Sequence, residues 1–310
     1  MNDRYASQAL NAQQTSIRAI TAKELLSSTI PARRLLMEPW LPESGLAMIY
    51  APRGVGKTHL ALTVSYAIAS GSSVLGWKAP APTPALYVDG EMPQIALQQR
   101  LSGITAGNSA KLPSEDYLRF LSADACRDGI PDLATTAGQQ VILDNLGSAR
   151  VVVFDNLSTL TRVKENEGDD WVSMQHFLLA LRRKGIAVIL IHHAGRNGQA
   201  RGTSRREDIL DTVISLKRPD DYEANQGARF VVVFEKARGF TGAQAEPIEA
   251  TLFMDPITDA TSWKYGAPSN NSTRAMEMFA DGHTVRDVID ELGVAKATAY
   301  RWHKEFRSKG

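Results

Sequence analysis

Short runs of apolar residues without polar interruption alternate along the chain with stretches in which apolar residues recur at helical spacing. A strand with no polar alternation is buried on both faces, as in a parallel sheet that is covered by helices. Such runs predict four buried strands, at Leu46–Tyr50, Ala85–Val88, Val151–Phe154 and Ile186–Ile191. Helical spacing predicts helices at Lys57–Ser70 and Asp170–Lys184. This alternation predicts an α/β fold with a mainly parallel central sheet flanked by helices.

Beyond residue 211 the pattern of apolar residues changes. Three strand-like runs follow one another with only turns between them: Asp211–Leu216, Arg229–Phe234 and Ile248–Met254. They predict a mixed or antiparallel edge of the sheet. The turn-forming stretch that begins at Gly266 predicts a linker, and the chain after it has helical spacing. The predicted organisation is a flexible N-terminal segment at 1–32, an α/β domain at 33–266, a linker at 267–271 and a small all-α unit at 272–310.

Composition narrows the class of protein. Hydrophobic residues make up 43% of the 310 residues and charged residues 22%, which is typical of a globular protein and excludes wholesale disorder. The net charge of +1 excludes a uniformly basic polyanion binder but allows a local basic patch. Cys126 is the single cysteine, which fits a reducing compartment. No apolar run approaches the roughly 20 residues that span a bilayer, so we expect a soluble, cytoplasmic protein with no membrane partner.

A glycine-rich turn joins the first predicted strand to the first predicted helix, in the segment Ala51–Thr58. Gly54 and Gly56 allow a concave turn whose N–H groups bind phosphate, and the helix N-terminus adds its positive end. Lys57 neutralises the terminal phosphates and the Thr58 hydroxyl binds Mg²⁺ in such a loop. Position 51 is alanine where the P-loop pattern has glycine, and a chance Gly-Lys-Thr at a turn is the alternative. The sequence thus predicts ATP and Mg²⁺ as cofactors and these nucleotide-binding residues: Pro52, Arg53, Gly54, Val55, Gly56, Lys57, Thr58 and His59.

Acidic residues stand at the carboxyl ends of two predicted strands, where ligands gather in open α/β sheets. Asp155 ends the third strand and is predicted to hold Mg²⁺ together with Thr58, with capping of the following helix as the alternative. Glu91 follows the second strand and is predicted to orient and activate the attacking water. Asp89 competes with Glu91 for this role, and Glu91 as a surface acid in a turn is the other interpretation.

Two adjacent histidines, His192 and His193, end the fourth predicted strand. Neighbouring residues on a strand point to opposite faces, and no cysteine or third histidine lies nearby in the sequence, so a zinc site is not expected. One of the two is a candidate for sensing the terminal phosphate. A strand-end histidine bonded to backbone groups is an equal alternative.

Several short segments of the chain are informative through the order in which they occur. They are Arg33-Arg34-Leu35, Trp40-Leu41-Pro42, the P-loop, Tyr87-Val88-Asp89-Gly90-Glu91, Val153-Phe154-Asp155-Asn156, Ile191-His192-His193-Ala194-Gly195, Arg201-Gly202-Thr203-Ser204 and Glu235-Lys236-Ala237-Arg238-Gly239-Phe240-Thr241-Gly242. In this order they resemble the RecA-like core of hexameric helicases and of their relatives, the plasmid RepA-type and DnaB-type ATPases. The resemblance covers roughly residues 33–266.

The resemblance implies roles for residues at matching positions. Glu91 resembles the catalytic glutamate, and His193 stands where the family has a polar switch residue. The stretch 195–204, which contains Arg201, resembles the mobile loop that lines a central channel and contacts DNA. Lys236 and Arg238 resemble the Lys-x-Arg pair that reaches as a finger into the ATP site of a neighbouring subunit. A basic hairpin that is only solvated is the alternative for this pair.

The C-terminal unit has three predicted helices: Ser272–Asp281, Val285–Leu292 with Thr284 as its N-cap, and Lys296–Arg307. It resembles the helix-turn-helix of resolvase- and invertase-type recombinases, in which the last helix enters the major groove of DNA. The implied DNA contacts, on a helix with a local excess of basic residues, are Lys296, Thr298, Tyr300, Arg301 and Lys304. The alternative is a three-helix cap that contacts protein and not DNA.

Taken with the resemblance, these features predict an ATP-hydrolysing, ring-forming motor of a plasmid, phage or integrative element. Its expected partners are further copies of the chain, in a hexamer, together with single-stranded DNA in a channel and duplex DNA on the helix-turn-helix. An ATP-switched DNA-binding regulator without translocation is the alternative. A small-molecule kinase is a weak third candidate, because no substrate-pocket pattern is visible.

Overall fold

The computed structural model describes residues 19–161, 168–195, 207–268 and 271–309. The chain divides into two units, residues 1–33 and 34–310. In the described part of the first unit a short helix, α1 (Ala22–Ser27), begins at the N-cap Thr21 and buries none of its residues. The remaining elements belong to the second unit.

Most strands of the second unit belong to one large sheet. In chain order the strands are β1 (Leu35–Met37), β2 (Leu41–Pro42), β3 (Leu46–Ala51), β4 (Ser73–Val74), β5 (Trp77–Lys78), β6 (Ala85–Asp89), β7 (Leu118–Ser122), β8 (Val151–Asp155), β9 (Ala187–His193), β10 (Thr212–Lys217), β11 (Arg229–Ala237), β12 (Ile248–Met254) and β13 (Thr261–Gly266). Within the described residues the large sheet has nine strands in the order β13-β12-β11-β10-β3-β9-β8-β6-β7. Neighbours from β10 to β7 are parallel, and β10 to β13 are antiparallel. The predicted parallel sheet with an antiparallel edge is therefore confirmed.

Helices cover both faces of this sheet. They are α2 (Lys57–Ser70), α3 (Gln94–Gly107), α4 (Thr136–Asn145), α5 (Leu157–Leu160) and α6 (Gly168–Arg183). Alternate residues of β3 separate two apolar layers: Ala47 and Ile49 pack on the side of α2 and α3, and Leu46 and Met48 pack on the side of α4, α5 and α6. Because β3 is buried on both faces, its sequence shows no polar alternation.

The C-terminal unit folds as three helices around a small core of its own. They are α7 (Asn271–Ala280), α8 (Val285–Leu292) and α9 (Lys296–Lys309). Thr284 caps α8 as predicted, and Gly293 ends it at φ +62°. The buried residues of this core are Ala275, Phe279, Val288, Val294, Ala299 and Trp302. The structure therefore has the predicted fold class, an α/β domain with a small all-α C-terminal region. The exact domain boundaries remain a prediction.

Candidate functional site

The glycine-rich turn between β3 and α2 forms the concave loop that its sequence predicts. Gly54 has φ +74° and Gly56 has φ +119°, conformations that other residues rarely adopt. Ala51, which departs from the P-loop pattern, is the last residue of β3 and pairs with His193 of β9. Its backbone belongs to a strand, so alanine fits there without the conformational freedom of glycine.

Lys57 lies at the start of α2 with its ammonium group inside the loop. Nζ donates hydrogen bonds to the carbonyl oxygens of Ala51 and Pro52, each at 2.9 Å. Burial lowers the pKa of Lys57 to about 8, although the carboxylates of Asp155 and Glu91 act in the opposite direction. The loop therefore holds a desolvated cation beside the N-terminal N–H groups of a helix, an arrangement suited to phosphate.

Asp155 ends β8 directly beside this loop and is buried. Its Oδ2 accepts a hydrogen bond from Tyr87 Oη at 2.6 Å, and its carboxylate also bonds to the side chain of Thr58. Burial raises the pKa of Asp155. A hydroxyl and a carboxylate side by side at a phosphate loop fit Mg²⁺, which binds few protein oxygens and keeps waters and substrate phosphates. Thr58 and Asp155 would hold the ion, and it would neutralise phosphate charge.

The two acids that follow β6 have different surroundings. Asp89 is buried and its Oδ2 accepts the backbone N–H of Met92 at 3.0 Å, which commits the carboxylate to its own turn. Burial raises the pKa of Asp89 to about 6. Glu91 is exposed and accepts a hydrogen bond from the side-chain amide of Asn156. Glu91 is thus available to bind water, and Asn156 orients it.

Asn156 has a role that the sequence did not indicate. It is buried directly after Asp155 and caps α5, because its Oδ1 accepts the N–H of Thr159 at 3.2 Å. The same side chain donates its amide to Glu91. One residue therefore ties the candidate water-activating acid to the strand that ends in the candidate metal ligand. An asparagine directly after a strand-end aspartate was the only available signal.

His193 and His192 take opposite sides of β9, as strand geometry predicts. Both are buried, and His193 lines the cavity at the phosphate loop. His192 lies 3.5 Å from Ser158, measured between Nδ1 and Oγ. Among the described residues no group of three or more histidine, cysteine, aspartate or glutamate side chains is placed to hold a metal. Of these two histidines, His193 is the one that lines the cavity.

These groups meet in a cavity of about 730 Å³, a size usual for a bound cofactor. Of the predicted nucleotide-binding residues, six line it: Arg53, Gly54, Gly56, Lys57, Thr58 and His59. Pro52 contributes its carbonyl to Lys57, and the side chain of Val55 is buried in the core. Burial and then the nearby Arg100 lower the pKa of His59 to about 4, so its imidazole is neutral at pH 7.

The wall of the cavity away from the phosphate loop comes from distant parts of the chain. Arg100 of α3 contributes to it, together with Ala228, Leu252, Met254 and Thr261 of the antiparallel edge. No local pattern marks these residues, because the pairing order of the strands and the packing of α3 against α2 and β13 bring them to the P-loop. They form the part of the cavity in which a base and a ribose could lie.

The predicted finger residues lie away from this cavity. Lys236 pairs with Val213, whose partner on β3 is Met48, so Lys236 lies toward the end of the sheet opposite the P-loop. Its Nζ bonds to the carbonyl of Glu207, and Arg238 Nη2 bonds to the carbonyl of Asp208 at 3.3 Å. Burial and then Arg238 lower the pKa of Lys236. The structure does not bring the pair to the cavity of its own chain.

Four of the predicted DNA contacts lie on the outer part of α9. Lys296, Tyr300, Arg301 and Lys304 are exposed, and Thr298 is half-buried. The guanidinium of Arg301 donates a hydrogen bond to the backbone carbonyl of a residue in the α/β domain, Asp220. Arg201 and most of the predicted channel loop lie outside the described residues.

Two family models match the chain. The family model of the AAA domain matches residues 12–199, which is more than half of the chain, so the chain belongs to the AAA domain family. A homeodomain-like domain model matches residues 273–310. The protein thus joins an AAA-type ATPase domain to a C-terminal helix-turn-helix DNA-binding domain.

Among solved structures, the chain is similar to a KaiC-like protein of the hyperthermophilic archaeon Pyrococcus horikoshii OT3. The two are 18% identical, with a TM-score of 0.49, and the match covers 74% of this chain and 93% of the other. No curated protein matches the chain. Within the described residues, no helix combines the length and the apolar character needed to cross a membrane.

Proposed function

We propose that the protein is an assembly-dependent ATPase motor that acts on DNA, of the type found in RepA-like and DnaB-like helicases. In this function ATP lies with its phosphates on the P-loop. Glu91 takes a proton from a water whose oxygen attacks the γ-phosphorus, and the bond from that phosphorus to the bridging β–γ oxygen breaks to release ADP. Lys57 balances charge on the phosphates, and His193 senses whether the γ-phosphate is present.

One observation supports the dependence on assembly. Lys236 and Arg238 lie toward the end of the sheet opposite the P-loop of their own chain. A cation supplied in trans stabilises charge that develops on the transferred phosphoryl group. From this position the pair can reach a γ-phosphate only when it belongs to another copy. Head-to-tail contacts generate a ring when their rotation closes, and a hexamer is the ring that we propose.

Mixing two inactive variants tests this arrangement. Glu91→Gln retains the finger but lacks the acid, and Arg238→Ala retains the acid but lacks the finger. In a randomly mixed ring with equal amounts of the two, about one quarter of the sites combine an intact acid with a neighbour's intact finger. We expect ATPase activity to reappear on mixing. Activity that stays at the sum of the separate variants, while both assemble, would contradict a finger in trans.

The effect of single-stranded DNA on ATP hydrolysis tests the proposed motor function. We expect single-stranded DNA to stimulate ATP hydrolysis by the wild type, and Arg238→Ala to lose this stimulation while its assembly mass is unchanged. Arg183→Ala is a matched control, because Arg183 is an exposed arginine near the end of α6, outside the cavity. The motor function would be excluded if single-stranded DNA did not change the rate of hydrolysis and the protein stayed monomeric with ATP.

A second candidate function is an ATP-switched regulator that binds duplex DNA and does not translocate. The bond from Arg301 of α9 to Asp220 of the α/β domain favours it, because the helix predicted to read DNA touches the ATPase domain directly. A selection from random duplexes distinguishes the two functions. Enrichment of one sequence, with hydrolysis indifferent to single strands, supports the regulator.

A further inference from the structure

The connection between β10 and β11, residues 218–228, packs against the P-loop. We refer to it as the bridging loop. At one end Arg218 Nη2 donates a hydrogen bond to the carbonyl of Gly54 at 2.9 Å. At the other end Ala228 lines the nucleotide cavity, and a Cβ built on Gly56 would lie 2.8 Å from the Cβ of Ala228. The bridging loop and the P-loop are therefore in close contact at two points.

Side-chain contacts fasten the bridging loop to itself and to the sheet. The guanidinium of Arg218 lies 3.5 Å from the centre of the Tyr222 ring, and Tyr222 Oη donates to the carbonyl of Gly227 at 3.0 Å. Arg229, at the start of β11, pairs with Asp221 at 2.9 Å. Stacking and ion pairs of this kind restrict a loop to few conformations. A displacement of Arg218 would therefore carry the middle of the bridging loop with it.

The same loop contacts the helix-turn-helix on its far side. The Arg301 guanidinium donates to the Asp220 carbonyl, and Asn271 Nδ2 donates to Asp221 Oδ2 at 3.4 Å. The turn between α8 and α9, residues 293–295, lines a cleft of about 460 Å³ together with Asp221 and Glu223. The loop is acidic where α9 is basic, so charge complementarity favours this contact.

We propose that the bridging loop is a docking surface for α9 that nucleotide binding releases. The idea rests on the ATP binding proposed above. Bound phosphates bring negative charge to the P-loop and attract the guanidinium of Arg218 away from the Gly54 carbonyl. The loop then withdraws from Arg301. Because a DNA phosphate and the Asp220 carbonyl cannot both occupy the same Arg301 donors, docking and DNA binding compete.

The two sites are then coupled, and the coupling is reciprocal. If ATP strengthens duplex binding by a given factor, duplex DNA strengthens ATP binding by the same factor. We expect a factor of about five, at the low end of the usual range for coupled sites. The probes are a random-sequence duplex, and a non-hydrolysable ATP analogue with Mg²⁺.

Asp220→Lys tests the docking surface from the side of the ATPase domain and leaves α9 intact. A lysine at this exposed position places a cation beside Arg301 and repels it. Asp116→Lys is the matched control, since it changes the net charge equally at an exposed site just before β7, at the other edge of the sheet. Without nucleotide we expect Asp220→Lys to bind duplex about fivefold more tightly than Asp116→Lys, a gain that disappears when the analogue is present. Equal affinities of the two variants would overturn the proposal.

Hydrogen exchange gives a second readout that does not depend on DNA. We expect the ATP analogue to speed amide exchange in the bridging loop and to leave the core strands unchanged. Arg218→Ala should abolish this response at concentrations of the analogue that calorimetry shows to saturate that variant. If the wild type binds no ATP, the proposed function fails. If it binds ATP but neither exchange in the bridging loop nor duplex affinity changes, ATP binding stands and the docking proposal fails.

Discussion

The nucleotide cavity and the outer surface of α9 both carry basic residues that we propose to bind phosphate, but the structure holds those residues differently in the two places. In the cavity the polar groups bond to one another: Lys57 to two carbonyls, Asp155 to Tyr87, and Asn156 to Glu91. On α9 the predicted contacts are largely exposed. All of these contacts lie in the described part of the helix. Among the described residues, Arg301 is the one of them that donates a hydrogen bond outside α9, to the bridging loop.

This difference has a physical consequence. A buried network fixes its side chains before the ligand arrives, so the loss of a single group costs much of the activity. Exposed cations contribute to DNA binding through separate phosphate contacts, each of them modest and sensitive to salt. Substitutions should therefore have large and non-additive effects in the cavity, and small, additive effects on α9.

The largest effect is expected from Lys57→Ala. It removes the buried cation of the P-loop, and we expect ATP hydrolysis to fall by about 100-fold or more, as when one preorganised donor to a developing charge is lost. Steady-state ATPase assays measure this, with Lys184→Ala, at an exposed site after α6, as the control. A rate within tenfold of the wild type would show that the cavity is not preorganised in the way described.

The pH dependence of ATP binding is a second test of the buried Lys57. Burial lowers the pKa of Lys57 to about 8 without nucleotide, so the ammonium form dominates below that pH and is lost above it. Because ATP requires the charged form, binding above pH 8 must take up a proton, and we expect affinity to fall about 25-fold between pH 7.5 and 9.5. Calorimetry in buffers of different ionisation enthalpy measures the uptake. Lys57→Arg, whose side chain stays charged, should take up fewer protons when it binds ATP.

Asn156→Ser is expected to have a smaller effect, because it acts through Glu91. Serine retains an oxygen that can cap α5 but lacks the amide that bonds to Glu91. We expect kcat to fall about tenfold with KM nearly unchanged, a part of the gain that a positioned acid or base supplies. In the Glu91→Gln background the same change should cost little more. An equal loss in both backgrounds would assign Asn156 a structural role that is independent of Glu91.

The sequence predicted the parallel strands and the phosphate end of the cavity because both are local features. An uninterrupted apolar run marks a strand buried on two faces, and β3, β6, β8 and β9 all have such runs. The P-loop and the acids at the strand ends lie directly beside these runs. Strand geometry then brings them to one edge of the sheet.

Other elements were not predicted, because their sequences carry no comparable pattern. β7, which lies at one edge of the large sheet, has only its two terminal residues buried and contains Arg119. Leu252 reaches the cavity through the order in which distant strands pair, and Arg100 reaches it through the packing of α3 against α2 and β13, neither of which a short segment encodes. The contact between α9 and Asp220 likewise joins exposed residues far apart in the chain. Exposed positions accept many residue types, so their partners leave little trace in one sequence.

Lys304→Ala is expected to have the smallest effect, and it tests the other half of the comparison. Lys304 is exposed on α9, and no hydrogen bond or ion pair ties its side chain to the described residues, so its loss should remove one phosphate contact and leave the fold unchanged. We expect duplex affinity to fall severalfold at low salt, and the slope of log affinity against log salt to decrease by about 0.9. Lys184→Ala, at an exposed lysine outside the helix-turn-helix, should change neither. If the two variants behave alike while both fold, α9 does not bind duplex in this way. The three helices would then be better explained as a cap that contacts protein, and the contact of α9 with the bridging loop as part of that packing.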